Sequence, residues 1–392
     1  MRADPRASTL VISTWLPPRR CRFEIAALYV LTPTKIYIVL RDLQRASRHF
    51  HAPLPFTLRR ALRLHNRSLF SLQDIIFWGL TDPKIPESDI DRYISREARV
   101  RMERRLNDSR AGYLVDDKVS FYETCANAAL PIPEAIAVFD APPGLPGESG
   151  QAHRARWESV LSDLPAGEFL CKPALGMKGE GIHLVAKRGD ENFLIAGRRY
   201  DVRAVYDFLL KCARDDRVLL QRKLEGHPEL CAVSGTKAVQ SARLVTFLSD
   251  GGECKFLFGR FKFIVGENYT DNFASGKSGN LIADIDVSTG RIRAVFAKVT
   301  GELGLRRVTN HPASGVPLEG FVIPEWQSLI DLAQRAASVF SPLRVLGWDI
   351  APTRTGPILL EANQEWEIFP LAPVTLPVSP TEWEKLIRPV AR

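Results

Sequence analysis

The sequence predicts an α+β protein preceded by a mostly helical, basic N-terminal region. Three observations carry that expectation. Through residues 1–115, apolar residues recur at mixed three- and four-residue spacing within Arg-rich faces, the signature of amphipathic helices. From Asp116 onward, short apolar runs alternate with helical segments. In the last third, tight-turn residues separate pairs of β-prone runs, so that much of the strand pairing reads as antiparallel.

In the N-terminal region, Arg41–Phe50, Phe56–Phe70 and Asp89–Leu106 read as helices. Lys118–Ala128 is the next helix, stopped by Leu130-Pro131-Ile132-Pro133. Ala135–Phe139 is a short strand, Pro142–Gly150 a Pro/Gly connection and Arg154–Leu164 a helix. An apolar strand, Glu168–Pro173, leads into a glycine loop and a second strand, Gly181–Ala186. A helix over Asp201–Arg214 and a strand over Val218–Leu224 follow. Three hairpins then turn at Asp250-Gly251-Gly252, Ser288-Thr289-Gly290 and Thr353–Gly356. The amphipathic helix Pro324–Phe340 precedes the last of them.

The 392 residues suit two or three domains at about 150 residues each. With 45% hydrophobic and 25% charged residues, composition excludes collagenous, disulfide-stapled and mainly disordered classes. The six cysteines show no CxxC spacing, which argues against a zinc ribbon or redox dithiol and favours a reducing, cytoplasmic setting. No run is apolar enough to span a membrane, and the N-terminus lacks the pattern of a secretory signal. Residues 1–110 carry 21 Lys and Arg against 11 Asp and Glu, which accounts for the whole +8 net charge. Such a region can dock an anionic partner or be a solvated helical surface. No zinc-finger or RNP-type signature supports nucleic acid as that partner.

Three stretches could carry chemistry. In Cys171-Lys172-Pro173-Ala174-Leu175-Gly176-Met177-Lys178-Gly179-Glu180-Gly181, the three glycines let backbone N–H groups face an anion, and Lys172 adds a charge. The loop lacks the Walker pattern, and taken alone it also suits an ordinary strand connection. In the closing hairpin, Glu361 and Asn363 share a face, and the short turn brings Asp349 within a position or two of Glu361. Two carboxylates and an amide oxygen suit a hard cation such as Mg²⁺; polar strand ends at the surface are the alternative. Finally, Arg243 sits in the apolar strand Ala242–Phe247, and Arg260 and Lys262 flank Phe261. Each needs an anion, either an acidic side chain or a phosphate.

In order and spacing these stretches resemble the ATP-grasp superfamily, most closely its sugar-transfer-associated branch. The further signals are Asp117-Lys118 opening a helix, Leu219-Leu220-Gln221 with His227-Pro228, Ser241-Ala242-Arg243, Asp271-Asn272-Phe273, Gly347-Trp348-Asp349 and Leu360-Glu361-Ala362-Asn363. The resemblance covers roughly residues 115–370. It implies an ATP-grasp fold, in which two α+β subdomains clamp ATP: residues 116–222 as lid and nucleotide-binding subdomain, 223–392 as the C-terminal subdomain with the metal site, and 1–115 as the N-terminal region.

On this resemblance Lys118, Lys172 and the loop glycines Gly176, Gly179 and Gly181 would hold the ATP phosphates. The segment Gln221, Lys223, Leu224 and Glu225 would hold adenine and ribose. Asp349, Glu361 and Asn363 would ligate two Mg²⁺ ions, and Arg243, Arg260 and Asn272 would face the transferred group. The implied activity is an ATP-dependent carboxylate–amine ligase acting through an acyl phosphate, in polysaccharide, cell-surface or natural-product biosynthesis. Its substrates would be a small-molecule or sugar-linked carboxylate and an amine, with a protein partner recruited through the basic N-terminal region. A phosphotransferase and a non-catalytic nucleotide-binding partner of a glycosyltransferase are the alternatives. The chain departs from the branch pattern at Ser275-Gly276-Lys277-Ser278-Gly279 and at Gln364-Glu365-Trp366-Glu367, both where an acceptor would sit.

Overall fold

The structure, a computed structural model, describes residues 33–91, 93–142, 144–145, 147–175, 181–189, 192–213 and 216–367. Two compact units divide at Glu87 and Ser88. In the first, helices α1 (Pro33–His49), α2 (Leu54–Ser68) and α3 (Leu72–Phe77) bury Val39, Leu43, Leu64 and Ile75. Arg60 is buried with them, and its guanidinium donates to the carbonyl oxygens of Leu80 and Ile85.

The second unit holds two antiparallel sheets. The six-stranded sheet comprises β1 (Ala135–Asp140), β2 (Gly167–Pro173), β3 (His183–Lys187), β4 (Phe193–Ile195), β5 (Arg198–Tyr200) and β6 (Arg217–Arg222), in the order β1-β6-β2-β3-β4-β5. The seven-stranded sheet comprises β7 (Ala242–Leu248), β8 (Cys254–Phe263), β9 (Leu281–Ile285), β10 (Ile292–Ala297), β11 (Arg306–Val308), β12 (Val345–Thr353) and β13 (Gly356–Asn363), in the order β11-β10-β9-β8-β7-β12-β13. Each sheet has its own core. Trp157 and Leu161 of α4 (Gly150–Asp163) and Val205 and Leu209 of α5 (Val202–Ala213) pack on Phe139, Phe169 and Val218. On the larger sheet, Phe121 of α6 (Lys118–Asn127) and Trp326, Leu329 and Ala333 of α7 (Trp326–Val339) meet Leu244, Phe261 and Trp348. Fully burying one such leucine or phenylalanine contributes about 1.5–3 kcal/mol, so these faces fix how the helices seat. A further helix, the wall helix, spans Arg96–Leu106.

The helix expected over Asp89–Leu106 starts only at Arg96, because the Ser95 hydroxyl accepts the backbone N–H of Ala98 and caps it there. The short hairpin β4–β5 was not anticipated. Its turn places Ala196 and Gly197 at φ of 49° and 77°, a conformation the Ala-Gly pair signals only weakly. Among the described residues, no helix is long and apolar enough to cross a membrane.

Candidate active site

The last hairpin sets the site. Thr353 closes its turn by donating its hydroxyl to the Gly356 carbonyl at 2.7 Å, with Gly356 at φ +108°. From that turn the pairing runs regularly to Ile350, and a one-residue register shift then sets Asp349 opposite Glu361 and Gly347 opposite Asn363. Leu359 pairs with Ile350, so Leu360 is left without a partner and β13 bulges beside the site. Alternation sends Trp348 and Ile350 into the core and Asp349 to the other face. The Asn363 amide donates to Glu361 Oε1 at 3.2 Å.

Neighbouring strands supply the cations. Arg243 lies opposite Asp349 on β7 and binds it through both Nε and Nη2, the latter at 2.7 Å. Its Nη2 also stands 3.9 Å from Glu361. Lys262 on β8 donates to Asp349 at 3.0 Å and lies 3.4 Å from Asp271. Burial alone would raise the Asp349 carboxyl, but Arg243 and Lys262 hold it well below the ordinary carboxylate range. Glu361 behaves oppositely. It is pushed up by loss of solvent and by Asp349, even though 48% of its side chain stays open to the cleft.

The six-stranded sheet brings Lys172 from the end of β2 to the same cleft. Burial lowers its ammonium to about 8, against the pull of Glu361. Lys118 starts α6, where Asp117 caps the helix and the Lys118 N–H donates to the Ala174 carbonyl at 3.0 Å. This bond ties Lys118 to the chain just beyond β2, two residues from Lys172. Burial lowers its ammonium too, and Glu361 again opposes the shift.

One cavity of about 180 Å³ is lined by Lys172, Gln221, Lys223, Leu224, Arg243 and Asn272 together with Asp349, Glu361 and Asn363. The structure therefore gathers most of the residues singled out from sequence. Gln221 is buried, its Oε1 accepting the Tyr122 hydroxyl at 2.8 Å. Lys223 pairs with Glu168 at 2.6 Å. Asn272 accepts the Ala274 N–H at 3.0 Å. Gly181, at φ +73°, closes the glycine loop, and a Cβ there would press on Pro173 at 3.0 Å. Gly176 and Gly179 lie outside the described residues.

Two residues sit elsewhere. Glu225 is exposed, 3.7 Å from Lys237. Arg260 turns from the cleft into a buried ion pair with Asp284 of β9, its partner in register, and stacks on Phe258 with its guanidinium 4.7 Å from the ring centre. The anion that Arg260 requires is thus a side chain. Lys262 and Asp271 line the cleft in its stead. Lys262 could be read from sequence only as sharing a strand face with Arg260.

The family model described as sugar-transfer associated ATP-grasp matches residues 97–373. The chain belongs to this family. No curated protein matches it. Among solved structures, D-alanyl-alanine synthetase A from Vibrio cholerae O1 biovar eltor aligns with a TM-score of 0.37 at 10% identity, over 68% of this chain and 60% of that one. The VanG D-Ala:D-Ser ligase from Enterococcus faecalis gives a TM-score of 0.37 at 12% identity, over 68% and 57%. The ADP complex of purK, an N5-carboxyaminoimidazole ribonucleotide synthetase, gives 0.35 at 12% identity, over 64% and 45%. The ATP-grasp chain thus spans about half of the length of these structures.

Members of this family are expected to use Mg²⁺, and the donor set at the hairpin can be tested for it. All three candidate ligands offer oxygen, as Mg²⁺ requires. Asp349 shares its oxygens with Arg243 and Lys262, so Glu361 and Asn363 are the more accessible donors. Around them Lys118, Lys172, Arg243 and Lys262 face Asp271, Asp349 and Glu361. With Lys223, Glu365 and Glu367, which also line the cleft, charges of the two signs balance there.

Gly347 keeps this arrangement in place. A Cβ at this position would lie 2.7 Å from Trp366 Cβ and 3.0 Å from Arg243 Cδ. Gly347→Ala is expected to cost about 1–3 kcal/mol through overpacking. Denaturant unfolding measures this; a variant as stable as the parent would show that Trp366 and Arg243 move aside freely.

Proposed function

We propose that this ATP-grasp protein is an ATP-dependent carboxylate–amine ligase, releasing ADP and phosphate and forming an amide through an acyl phosphate. The observation that carries this reading is the convergence of Lys172 from one sheet with Glu361 and Asn363 from the other on a single cleft. The apolar end of that cleft, with Leu170, Ile182, Leu184 and Leu224 beside Gln221 and Lys223, suits adenine. Lys118, Lys172 and Arg243 would balance charge on the phosphoryl oxygens as the carboxylate attacks the γ-phosphorus. Glu361 and Asn363, with Asp349 behind them, would hold Mg²⁺, which when bound neutralises phosphate charge. Arg243 is kept in position by its two bonds to Asp349, so that it need not reorganise during the transfer. The description of the family as sugar-transfer associated makes sugar-linked and cell-surface carboxylates the first substrates to try.

The direct test incubates the protein with Mg-ATP and panels of uronic acids, amino acids and amino sugars, following ADP and product mass. ADP release that needs both an acid and an amine supports the ligase. A stable phosphorylated product formed without any amine would make it a phosphotransferase instead.

A second expectation concerns protons. With Lys172 lowered to about 8, much of it is neutral above pH 8 in the free protein, and a bound triphosphate restores its charge. Nucleotide binding is therefore expected to take up protons near pH 8–9 and to weaken as pH rises through this window. Calorimetry in buffers of different ionisation enthalpy measures the uptake. Lys172→Met should abolish it; equal uptake by parent and variant would assign it to another group.

A further inference from the structure

The first unit carries a surface that the nucleotide chemistry leaves unused. Residues 43–73 contain six arginines and three histidines and not one carboxylate. Three of the arginines are engaged within the unit. Arg60 is buried on the Leu80 and Ile85 carbonyls, and Arg63 and Arg67 lie 3.2 and 3.5 Å from Glu87. Arg48 and Arg59 are exposed, and neither has a carboxylate partner among the described residues.

These two arginines flank the tip of a helical hairpin. Only residues 50–53 separate the end of α1 from the start of α2. Between Arg48 and Arg59 the tip exposes Leu54 and Phe56, which keep 37% and 42% of their surface, with Pro53 and Pro55 beside them. Single exposed apolar residues are ordinary. Here two large ones stand one residue apart inside a basic frame. The N-cap of α2 is Pro53, which has no side-chain acceptor, and the first turn holds no acidic residue. The positive end of that helix dipole therefore adds to the charge of the tip. Along α1, Tyr37, Arg41, Gln44 and Arg48 are exposed at three- and four-residue spacing, so one stripe of the helix leads into it.

The charge selects an anion, and the apolar pair selects which one. A phosphate or carboxylate polymer satisfies arginine but offers nothing to leucine. An anionic bilayer satisfies both at one boundary, with phosphates at the headgroup level and acyl chains just beneath. Arginine suits that boundary, because its methylene stem lies along apolar groups while the guanidinium stays among the headgroups.

We infer that the α1–α2 tip docks this protein on an anionic lipid surface, with Leu54 and Phe56 among the acyl chains and Arg48 and Arg59 on the headgroup phosphates. The docking is peripheral and reversible, since so little apolar surface enters the bilayer. It does not depend on the ligase reading.

The test sediments the full-length protein with phosphatidylcholine vesicles prepared with and without phosphatidylglycerol. Pelleting with the anionic vesicles alone is expected, and added salt should weaken it. Arg48→Gln and Arg59→Gln should each lower vesicle affinity about fivefold, and Leu54→Ser combined with Phe56→Ser about tenfold. All four positions are exposed, and thermal unfolding verifies that each variant is folded. Phe56→Trp reads insertion directly: on anionic vesicles its emission should shift to the blue and be quenched by brominated acyl chains. Absence of pelleting, equal pelleting with both vesicles, affinity unmoved in every variant, or an unquenched Trp would each overturn the assignment. So would tighter binding to RNA or polygalacturonate that the Leu54→Ser, Phe56→Ser pair leaves intact, which would give the surface to a soluble polyanion.

Discussion

Lys172→Ala and Glu361→Ala are each expected to lower ADP release by about 10²–10³-fold, the usual loss when one preorganised electrostatic contact to a transferring group is removed. Lys172 is the cation that β2 delivers to the cleft, and Glu361 is the oxygen donor that β13 places across from it. The two changes act on opposite partners of one assembly. Combined, they should cost far less than the product of the single losses. Turnover is measured with saturating Mg-ATP, and circular dichroism confirms the fold of each variant. Full activity in both purified variants would remove these residues from the mechanism.

Asp284→Ala is expected to lower stability by about 3–5 kcal/mol, because it strands a buried guanidinium. Asp284 is buried and accepts from Arg260 and, at 2.7 Å, from Arg293. Burial already weakens the hold of Arg260 on its proton, and Asp284 opposes that shift. The pair lies outside the residues lining the nucleotide cleft, so protein that remains folded should keep its affinity for Mg-ATP. Urea unfolding beside nucleotide titration separates the two effects. A loss of nucleotide affinity with unchanged stability would return Arg260 to the active site.

The contrast between these experiments shows what the sequence could tell. The closing hairpin was legible because its turn is short: four residues, Thr353 to Gly356, bring Asp349 within one position of Glu361, and the bulge at Leu360, which the turn does not signal, makes them partners. Arg243 was legible for a related reason, as a lone cation in an apolar strand. The partner of Arg260 was not. Alternation assigns Arg260 and Lys262 to one face, but β9, the neighbour of β8, supplies Asp284 to the first and β12, beyond β7, supplies Asp349 to the second. Only strand order decides which anion each receives. Glu103 was hidden more thoroughly. Spaced four residues from Arg99, it reads as a solvated helical pair, but Arg99 also donates to the Gln364 carbonyl and lies over Trp366, far away in the chain, and the pair is buried.

The cleft and the neighbouring cavity of about 820 Å³ share a wall of Lys172, Leu360, Glu361, Asn363 and Glu365. A ligand on one side would alter the field felt on the other, and thermodynamic linkage makes any such influence mutual: whatever factor one ligand imposes on the affinity of a second, the second must impose on the first. Occupancy of either cavity would thus be felt in the other before any bond is made.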